Sequence, residues 1–192
     1  DEIISRAQAI EWFDLDHIGR SPARFDADKL ISLNAHYLRN ANPEEIVRLV
    51  LAESSLHCNG ALAPMAAERL KKGLNSLRER ARTVTELCAN ARFYLVDGPV
   101  PPDESASALL TADARARLGS VAAHLRQVAP WDAGAIEAAA RGACEASGWK
   151  LKEIAQPLRA ALTGSKVSPP LFEVMEILGR EEALVRIENT AR

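Results

Sequence analysis

Apolar residues recur at helical spacing along most of this chain. They predict helices over residues 2–13, 27–39, 44–51, 64–77, 111–128 and 132–146. Asp26 and Asp132 stand where helix N-caps are expected, because a carboxylate can accept the free backbone N–H groups of a first turn. Aromatic residues make up only 5% of the 192 residues, and alanine and leucine dominate. Pattern and composition together predict an all-α fold.

The last third of the chain shows two helical runs separated by a polar turn. Apolar residues keep helical spacing over 151–162, although Pro157 lacks a backbone donor and must open a new helical segment or kink an existing one. Gly164 fits the left-handed position that ends a helix. Ser168 is expected to cap the next helix, with Pro169 as its first residue. The apolar stripe of that helix comprises Leu171, Val174, Met175 and Leu178.

Two interpretations of this turn, residues 163–170, follow from its residues. A corner between two helices accounts for the spacing by itself, since such corners are common. Arg159, the hydroxyl groups of the turn and Phe172 could also read unpaired bases, because single-stranded RNA is recognised by stacking and by hydrogen bonds to base edges. The spacing does not decide between the two.

Charge is distributed unevenly along a chain that is close to neutral overall. The net charge of −2 argues against a generally basic nucleic-acid binder. Residues 66–92 nonetheless carry seven Lys and Arg against three Glu, whereas residues 98–148 carry four Arg against six Asp and Glu. The basic side of the molecule is therefore predicted at residues 71–92 and at the turn.

The residue types that catalysis or metal binding requires are not assembled at recognisable spacing. The sequence has no glycine-rich phosphate loop, no paired metal ligands and no nucleophile with a base and an orienting group. Cys58, Cys88 and Cys144 are far apart and are expected to be reduced thiols. No apolar run reaches the ~20 residues of a membrane span. Without a signal peptide or an initial methionine, the sequence is expected to be part of a longer cytoplasmic protein.

Three runs near the end of the chain carry a family resemblance. They are Pro-Leu-Arg-Ala-Ala-Leu-Thr-Gly at 157–164, Ser-Pro-Pro-Leu-Phe-Glu at 168–173 and Ile-Leu-Gly-Arg-Glu-Glu-Ala-Leu at 177–184. Together they closely resemble the C-terminal anticodon-binding region of bacterial glutamyl-tRNA synthetases. Residues 25–39 resemble the stem-contact segment of that family, and residues 78–95 resemble its first anticodon-binding helical cage.

The resemblance implies three parts: a helical stem-contact segment over 1–43, a first anticodon-binding helical subdomain over 44–100 and a second over 101–192. The Pro-rich acidic stretch at 98–105 then links the two subdomains. In the first part, the polar residues available to an RNA stem would be Lys29, Asn34 and Arg39. A solvated helix face explains each of these three equally well.

The resemblance also implies which residues read the anticodon. Counted back from Arg92, Arg80 falls where the family places an arginine that reads the first anticodon base, and Arg78 takes this role if the register shifts by two. An arginine suits the task because its planar fork pairs with two base acceptors. The positions that line the pockets for the other two bases are matched by Arg159, Ser168, Pro169, Leu171 and Phe172, with Thr163 in the same turn. Some members of the family have threonine in place of Ser168.

By resemblance, this chain is the C-terminal part of a glutamate–tRNA ligase. The whole enzyme would use ATP, with magnesium, to attach glutamate to tRNA(Glu) through a catalytic domain that this sequence lacks. The chain alone is therefore expected to be inactive, monomeric and without a cofactor. Arginine at position 80 favours an enzyme that discriminates against tRNA(Gln), but that partner stays open. The alternative is a helical protein–protein interaction scaffold without RNA affinity, which the negative net charge allows.

Overall fold

The computed structural model of the protein describes residues 3–19, 24–57 and 62–192. These residues contain helices and no strand, so the predicted all-α fold is confirmed. A 3₁₀ turn at Leu15–His17 accompanies eleven α-helices in this part of the chain. The helices are α1 (Arg6–Trp12), α2 (Ala27–Asn40), α3 (Pro43–His57), α4 (Ala66–Arg78), α5 (Val84–Leu95), α6 (Glu104–Ser107), α7 (Ala112–Leu125), α8 (Ala133–Ser147), α9 (Leu151–Thr163), α10 (Leu171–Leu178) and α11 (Arg180–Ala191).

Side-chain caps fix the starts of several long helices. The Asp26 carboxylate accepts a hydrogen bond from the backbone N–H three residues ahead (3.0 Å) at the start of α2, and Thr83 caps α5 in the same way. Thr111 and Asp132 cap α7 and α8. Because these contacts are local in sequence, the sequence predicts the starts of α2, α7 and α8 to within a residue or two.

Two proline-containing stretches refine the predicted helix boundaries. Helix α9 is continuous through Pro157, so this proline does not open a new helical segment. The prediction that Ser168 caps the next helix, with Pro169 as its first residue, is wrong, since α10 begins at Leu171. The residue before a proline is held away from the helical region of backbone space. Pro169 precedes Pro170 and therefore cannot start a helix.

The helices pack in two groups around one continuous core. Helices α2–α5 pack mainly on one another, and α6–α11 pack on one another with α7 and α9 at the centre. Between the groups, α4 contacts α10 and α5 contacts α9. Buried apolar residues from both groups form a single cluster. The predicted division into 1–43, 44–100 and 101–192 stays a prediction.

A buried arginine joins the two groups. Arg186 on α11 is 0% exposed and donates to the carbonyl oxygens of Leu162 (2.7 Å) and Val96 (2.7 Å), at the ends of α9 and α5. Its Nε donates to Glu182 (2.6 Å), which also accepts from the Gly98 N–H (2.8 Å). Burial lowers the pKa of Arg186, because a low-dielectric interior disfavours its charge, and Glu182 opposes the shift. The network fixes the ends of α5 and α9 relative to each other.

The first forty residues expose much of their apolar surface. Helix α1 has no buried residue. Leu30 and Tyr37 of α2 are more than half exposed, although helical spacing predicts that both lie on the apolar side of that helix. Helix α2 packs mainly on α4 and buries Ala35 and Leu38 instead. Other exposed large apolar residues in this region are Ile3, Ile10, Trp12, Phe13, Leu15, Ile18 and Phe25.

Two of the three cysteines can be placed. Cys88 is half-buried, and Cys144 is buried and a free thiol, as predicted. Cys58 lies outside the described residues. In the part of the chain that the structure describes, no helix combines the length and the apolar character needed to cross a bilayer.

Candidate nucleic-acid interface

Residues 164–170 form the connection between α9 and α10, here named the α9–α10 turn. Gly164 opens it in the left-handed conformation (φ +70°) that ends helices. A Cβ at this position would lie 2.7 Å from the carbonyl oxygen of Pro101. The Asp103 N–H donates to the Gly164 carbonyl oxygen (2.8 Å). The linker between the two helix groups therefore packs directly against the turn.

Arg159 holds the far side of the α9–α10 turn. Its Nη1 donates to the carbonyl oxygens of Ser168 (3.2 Å) and Pro169 (2.9 Å) and to the Ser168 hydroxyl. Thr163 Oγ1 donates to the Arg159 carbonyl oxygen (2.8 Å) and accepts from the Ser165 N–H (3.3 Å). All the protein partners of the Arg159 guanidinium are neutral oxygens. Its charge therefore has no carboxylate counterion among the described residues.

A second connection, the α4–α5 turn at residues 79–83, lies beside the first. Burial lowers the pKa of Arg159, and the nearby charge of Arg80 lowers it further, so the two guanidinium groups are close enough to repel each other. Arg80 is exposed, and its carbonyl oxygen accepts a hydrogen bond from Asn90 Nδ2 (3.4 Å). Arg82 in the same turn is instead paired with Glu86 (2.9 Å). The two turns together present a cationic surface.

The eight residues predicted to bind the anticodon separate by burial. Arg80 is exposed, and Arg78, Arg159 and Phe172 are half-buried. Thr163, Ser168, Pro169 and Leu171 are buried. The structure brings the members from residue 159 onward together at the α9–α10 turn. The side chains that are substantially accessible to a ligand are therefore those of Arg78, Arg80, Arg159 and Phe172.

The three predicted stem-contact residues lie on α2 but do not share one face. Lys29, Asn34 and Arg39 are exposed and five residues apart, which turns each about 140° from the one before. Asn34 Nδ2 donates to the Arg82 carbonyl oxygen (2.5 Å) and so ties α2 to the α4–α5 turn. A flat RNA surface cannot contact all three side chains at once.

Two features near the turns are not predicted from the sequence. The Ser76 hydroxyl of α4 donates to Glu173 of α10 (2.8 Å), which fixes the α9–α10 turn against the first helix group. A cleft of about 430 Å³ lies between α5, residues 100–103 and the α9–α10 turn, with Asn90 and Arg92 on its α5 side. Both features depend on contacts between residues distant in sequence, which spacing rules do not reveal. The only available signal was the basic balance of residues 66–92, which includes Arg92.

The sequence pattern of a known family coincides with this architecture. The anticodon binding domain family matches residues 43–191, a range that contains both turns and the helices that carry them. The chain belongs to this family. The region that matches the family therefore includes the cationic surface.

Relatives of this anticodon binding domain show what kind of protein carries it. The chain is 46% identical over 190 residues to glutamate–tRNA ligase 2 of Paramagnetospirillum magneticum, covering 98% of this chain and 40% of that protein. It is 45% identical over 195 residues to the glutamate–tRNA ligase of Bradyrhizobium sp. strain ORS 278, covering 99% and 41%. The chain spans about two fifths of the length of these relatives.

A solved structure has the same fold. The crystal structure of a glutamate tRNA ligase from Elizabethkingia meningosepticum, in complex with its amino acid, superposes with a TM-score of 0.79 at 27% sequence identity. The superposition covers 100% of this chain and 37% of that chain. The anticodon binding domain described here thus corresponds to one part of a larger known structure.

Proposed function

We propose that this chain is the tRNA anticodon-binding part of a glutamate–tRNA ligase. The observation that carries the proposal is the pair of adjacent turns whose arginines, Arg80 and Arg159, have no carboxylate partner among the described residues. Their mutual repulsion has an energetic cost in the free protein that an anionic ligand relieves. The phosphates and base acceptors of an RNA loop supply such partners.

The accessible side chains have distinct proposed roles. Nη1 of Arg159 holds the turn, while Nε and Nη2, which have no hydrogen-bond partner among the described residues, form a free edge that can pair with two acceptors. Arg80 reads a second base, with Arg78 beside it on α4. Phe172 offers a ring for stacking. The buried residues Thr163, Ser168, Pro169 and Leu171 shape the turn that presents these groups.

The wider assignment follows the relatives. We infer that the whole protein joins glutamate to tRNA(Glu) in the cytoplasm, with ATP and magnesium bound by a part of the protein outside this chain. We expect this chain alone to be monomeric and to have no ligase activity. Lys29 and Arg39 of α2 are proposed to face the RNA stem, whereas Asn34 supports the α4–α5 turn. Discrimination against tRNA(Gln) is assigned to Arg80.

The direct test is binding of the 192-residue protein to an anticodon stem-loop of tRNA(Glu) and to a version with an exchanged triplet. The matched triplet should bind about tenfold more tightly, since one base-specific contact is worth about 1–3 kcal/mol. If about four cations contact phosphates, affinity should fall with a log–log salt slope of about −3.

Each outcome of this test supports or contradicts the proposed function. Triplet-dependent, salt-sensitive binding supports the proposed function. Salt-sensitive binding without triplet preference contradicts anticodon reading by this chain. The absence of binding, or binding that salt does not change, favours the protein–protein interaction scaffold.

A further inference from the structure

The ring of Tyr94 lies where α5 meets the contact between α4 and α10. Tyr94 is in the last turn of α5 and is 0% exposed, and it fits against Gly73 of α4, where a Cβ would overlap the ring. Burial raises the pKa of Tyr94, and the charge of Glu173 on α10 raises it further. The Tyr94 hydroxyl and the Glu173 carboxylate are therefore close enough to interact.

Neither of these two groups is fully hydrogen-bonded in the free protein. The Tyr94 hydroxyl has no partner among the described residues. A buried hydroxyl in this state has lost its hydration without compensation, so a phenylalanine would suit the free protein as well or better. Glu173 Oε1 accepts from the Ser76 hydroxyl (2.8 Å), whereas its Oε2 has no donor among the described residues. An unused donor and an unused acceptor thus lie near each other without being joined.

Glu173 also connects this junction to the proposed RNA-binding surface. It follows Phe172 in the first turn of α10, and its partner Ser76 lies in the last turn of α4, two residues before Arg78. Glu173 is half-buried, and Tyr94 lies deeper in the core. The phosphates of an RNA bound at the two turns would repel the Glu173 carboxylate toward the interior. A hydroxyl donor stabilises a carboxylate that is withdrawn from water.

We propose that Tyr94 is a positioning residue for RNA binding. When RNA occupies the two turns, the Tyr94 hydroxyl donates to Oε2 of Glu173 and so ties the first turn of α10, which carries Phe172, to α5. The bond is open in the free protein and closed in the complex. This inference rests on the proposed anticodon-binding function and adds a buried residue that does not itself contact the RNA.

The first test removes the hydroxyl and keeps the ring. Tyr94→Phe should unfold at the same urea concentration as the wild type or at a higher one, because the lost group has no partner in the free protein. It should nevertheless bind the anticodon stem-loop of tRNA(Glu) about tenfold more weakly, since a hydrogen bond to a charged group is lost from the complex. Tyr37→Phe is the matched control. The Tyr37 hydroxyl donates to the Ile4 carbonyl oxygen (3.3 Å) on the exposed side of α2, and its loss should leave the RNA affinity unchanged.

A double-mutant cycle identifies the partner of the Tyr94 hydroxyl. Glu173→Gln keeps one oxygen that can accept from Ser76 but replaces the second oxygen with an NH₂ group. In the Glu173→Gln background, Tyr94→Phe should change the RNA affinity by less than about twofold. The same cycle measured by urea unfolding should show no coupling between the two residues, because they are not joined in the free protein.

Several results would overturn the positioning role. Unchanged RNA affinity of Tyr94→Phe contradicts it, and so does a tenfold loss that persists in the Glu173→Gln background. A clear loss of stability in Tyr94→Phe also contradicts it, because the hydroxyl would then already have a partner in the free protein. Matched and exchanged triplets measured with the wild type separate this failure from that of the proposed function. Triplet-dependent binding with a neutral Tyr94→Phe overturns the positioning role alone, and the absence of RNA binding by the wild type overturns both.

Discussion

Arginine residues differ in this molecule by the kind of partner they have. Six in the described part of the chain are paired with Asp or Glu: Arg69, Arg82, Arg117, Arg126, Arg141 and Arg186. Arg78, Arg80, Arg92 and Arg159 have no such partner there. In a chain with a net charge of −2, these four arginines without a carboxylate partner lie at the two turns and the cleft. This local arrangement, rather than the net charge, is what an RNA loop would meet.

Arg80 and Arg82 provide a matched pair for testing this view. Arg80→Ala should reduce the preference for the matched triplet about tenfold, because a base contact worth about 1–3 kcal/mol is lost. Arg82→Ala should leave that preference intact, since its guanidinium is paired with Glu86. Binding of both variants to matched and exchanged stem-loops is the measurement. Equal losses for the two variants would contradict a specific role for Arg80.

A second expectation at this scale concerns pH. Hydrogen bonds from Ser105, then from the Ala106 N–H and from Ser165, hold the pKa of Asp103 below its ordinary value. A carboxylate with a lowered folded-state pKa stabilises the fold above its unfolded pKa, and this contribution is lost as pH falls through the folded value. Asp103→Asn should therefore melt below wild type at pH 7, and the difference should vanish in acid. Glu104→Gln, which removes a neighbouring exposed carboxylate, is the control, and an equal pH-dependent loss in both variants would contradict a specific role for Asp103.

Sequence-based prediction works for single residues whose contacts are local. Asp26 and Asp132 cap helices as predicted, because the cap bonds to an N–H three residues ahead. Ser168 was expected to do the same, but Arg159 recruits its hydroxyl and carbonyl groups. Asn90 and Asp103 were not predicted as part of a site, since their positions depend on contacts across the fold. Arg80 is a candidate through family resemblance alone, whereas the residues of the turn by themselves already suggested Arg159.

At the scale of elements, two helix ends differ only in their surroundings. Gly148 after α8 and Gly164 after α9 both have φ of +70°. A Cβ would meet nothing within 4 Å at Gly148, but at Gly164 it would lie 2.7 Å from the Pro101 carbonyl oxygen. The first glycine is needed for backbone conformation alone. The second also allows the linker to approach the turn.

This difference predicts unequal effects of alanine at the two ends. Gly148→Ala should destabilise the protein by about 1 kcal/mol, the cost of a left-handed alanine. Gly164→Ala should cost at least about 2 kcal/mol, because the linker must also move. It should further weaken RNA binding, since the same movement displaces the α9–α10 turn. Urea unfolding and stem-loop binding of both variants check these expectations, and similar stability losses would show that the linker contact is unimportant.

The periodicity of apolar residues predicts where several helices lie, but it does not predict how each of them packs. Helices α7 and α8 agree with the sequence because caps and apolar stripes coincide. Helix α2 agrees in its cap and its bounds but not in the side chains that it buries. Periodicity also predicts α1, but it cannot tell that this helix buries no residue. Pro157 leaves the course of α9 undecided in the sequence, and core packing of Ile154, Leu158 and Leu162 keeps the helix continuous.

At the scale of the molecule, Arg186 should be the main polar link between the helix groups. Arg186→Met would leave Glu182 without its buried cation and two helix-end carbonyls without a donor. Removing one member of a buried pair costs about 3–5 kcal/mol. Arg126→Met, which breaks a more exposed pair with Glu188, should cost under about 1 kcal/mol. Urea unfolding measures the stability of both variants. A small loss of stability in Arg186→Met would mean that apolar contacts alone hold the two helix groups together.

Unlike Arg186, the first forty residues bury little surface, so their removal should cost little stability. Trp12, Phe13 and Phe25 are 54%, 67% and 77% exposed, and α1 buries nothing. Removal of residues 1–25 should therefore change the free energy of unfolding by no more than about 0.5 kcal/mol. Removal of residues 1–41 also deletes α2, with the buried Leu38 and the Asn34 bond to Arg82, and should cost about 2 kcal/mol.

The two truncations together locate where the stable core begins. Urea unfolding, monitored by circular dichroism, measures the free energy of unfolding of both truncated proteins. A large loss from the shorter truncation would show that the exposed apolar residues of α1 pack on the rest of the chain in solution. If the shorter truncation is neutral and the longer one also weakens triplet preference, α2 supports the α4–α5 turn through Asn34. The proposed anticodon-binding surface then depends on the segment that precedes the matched family region.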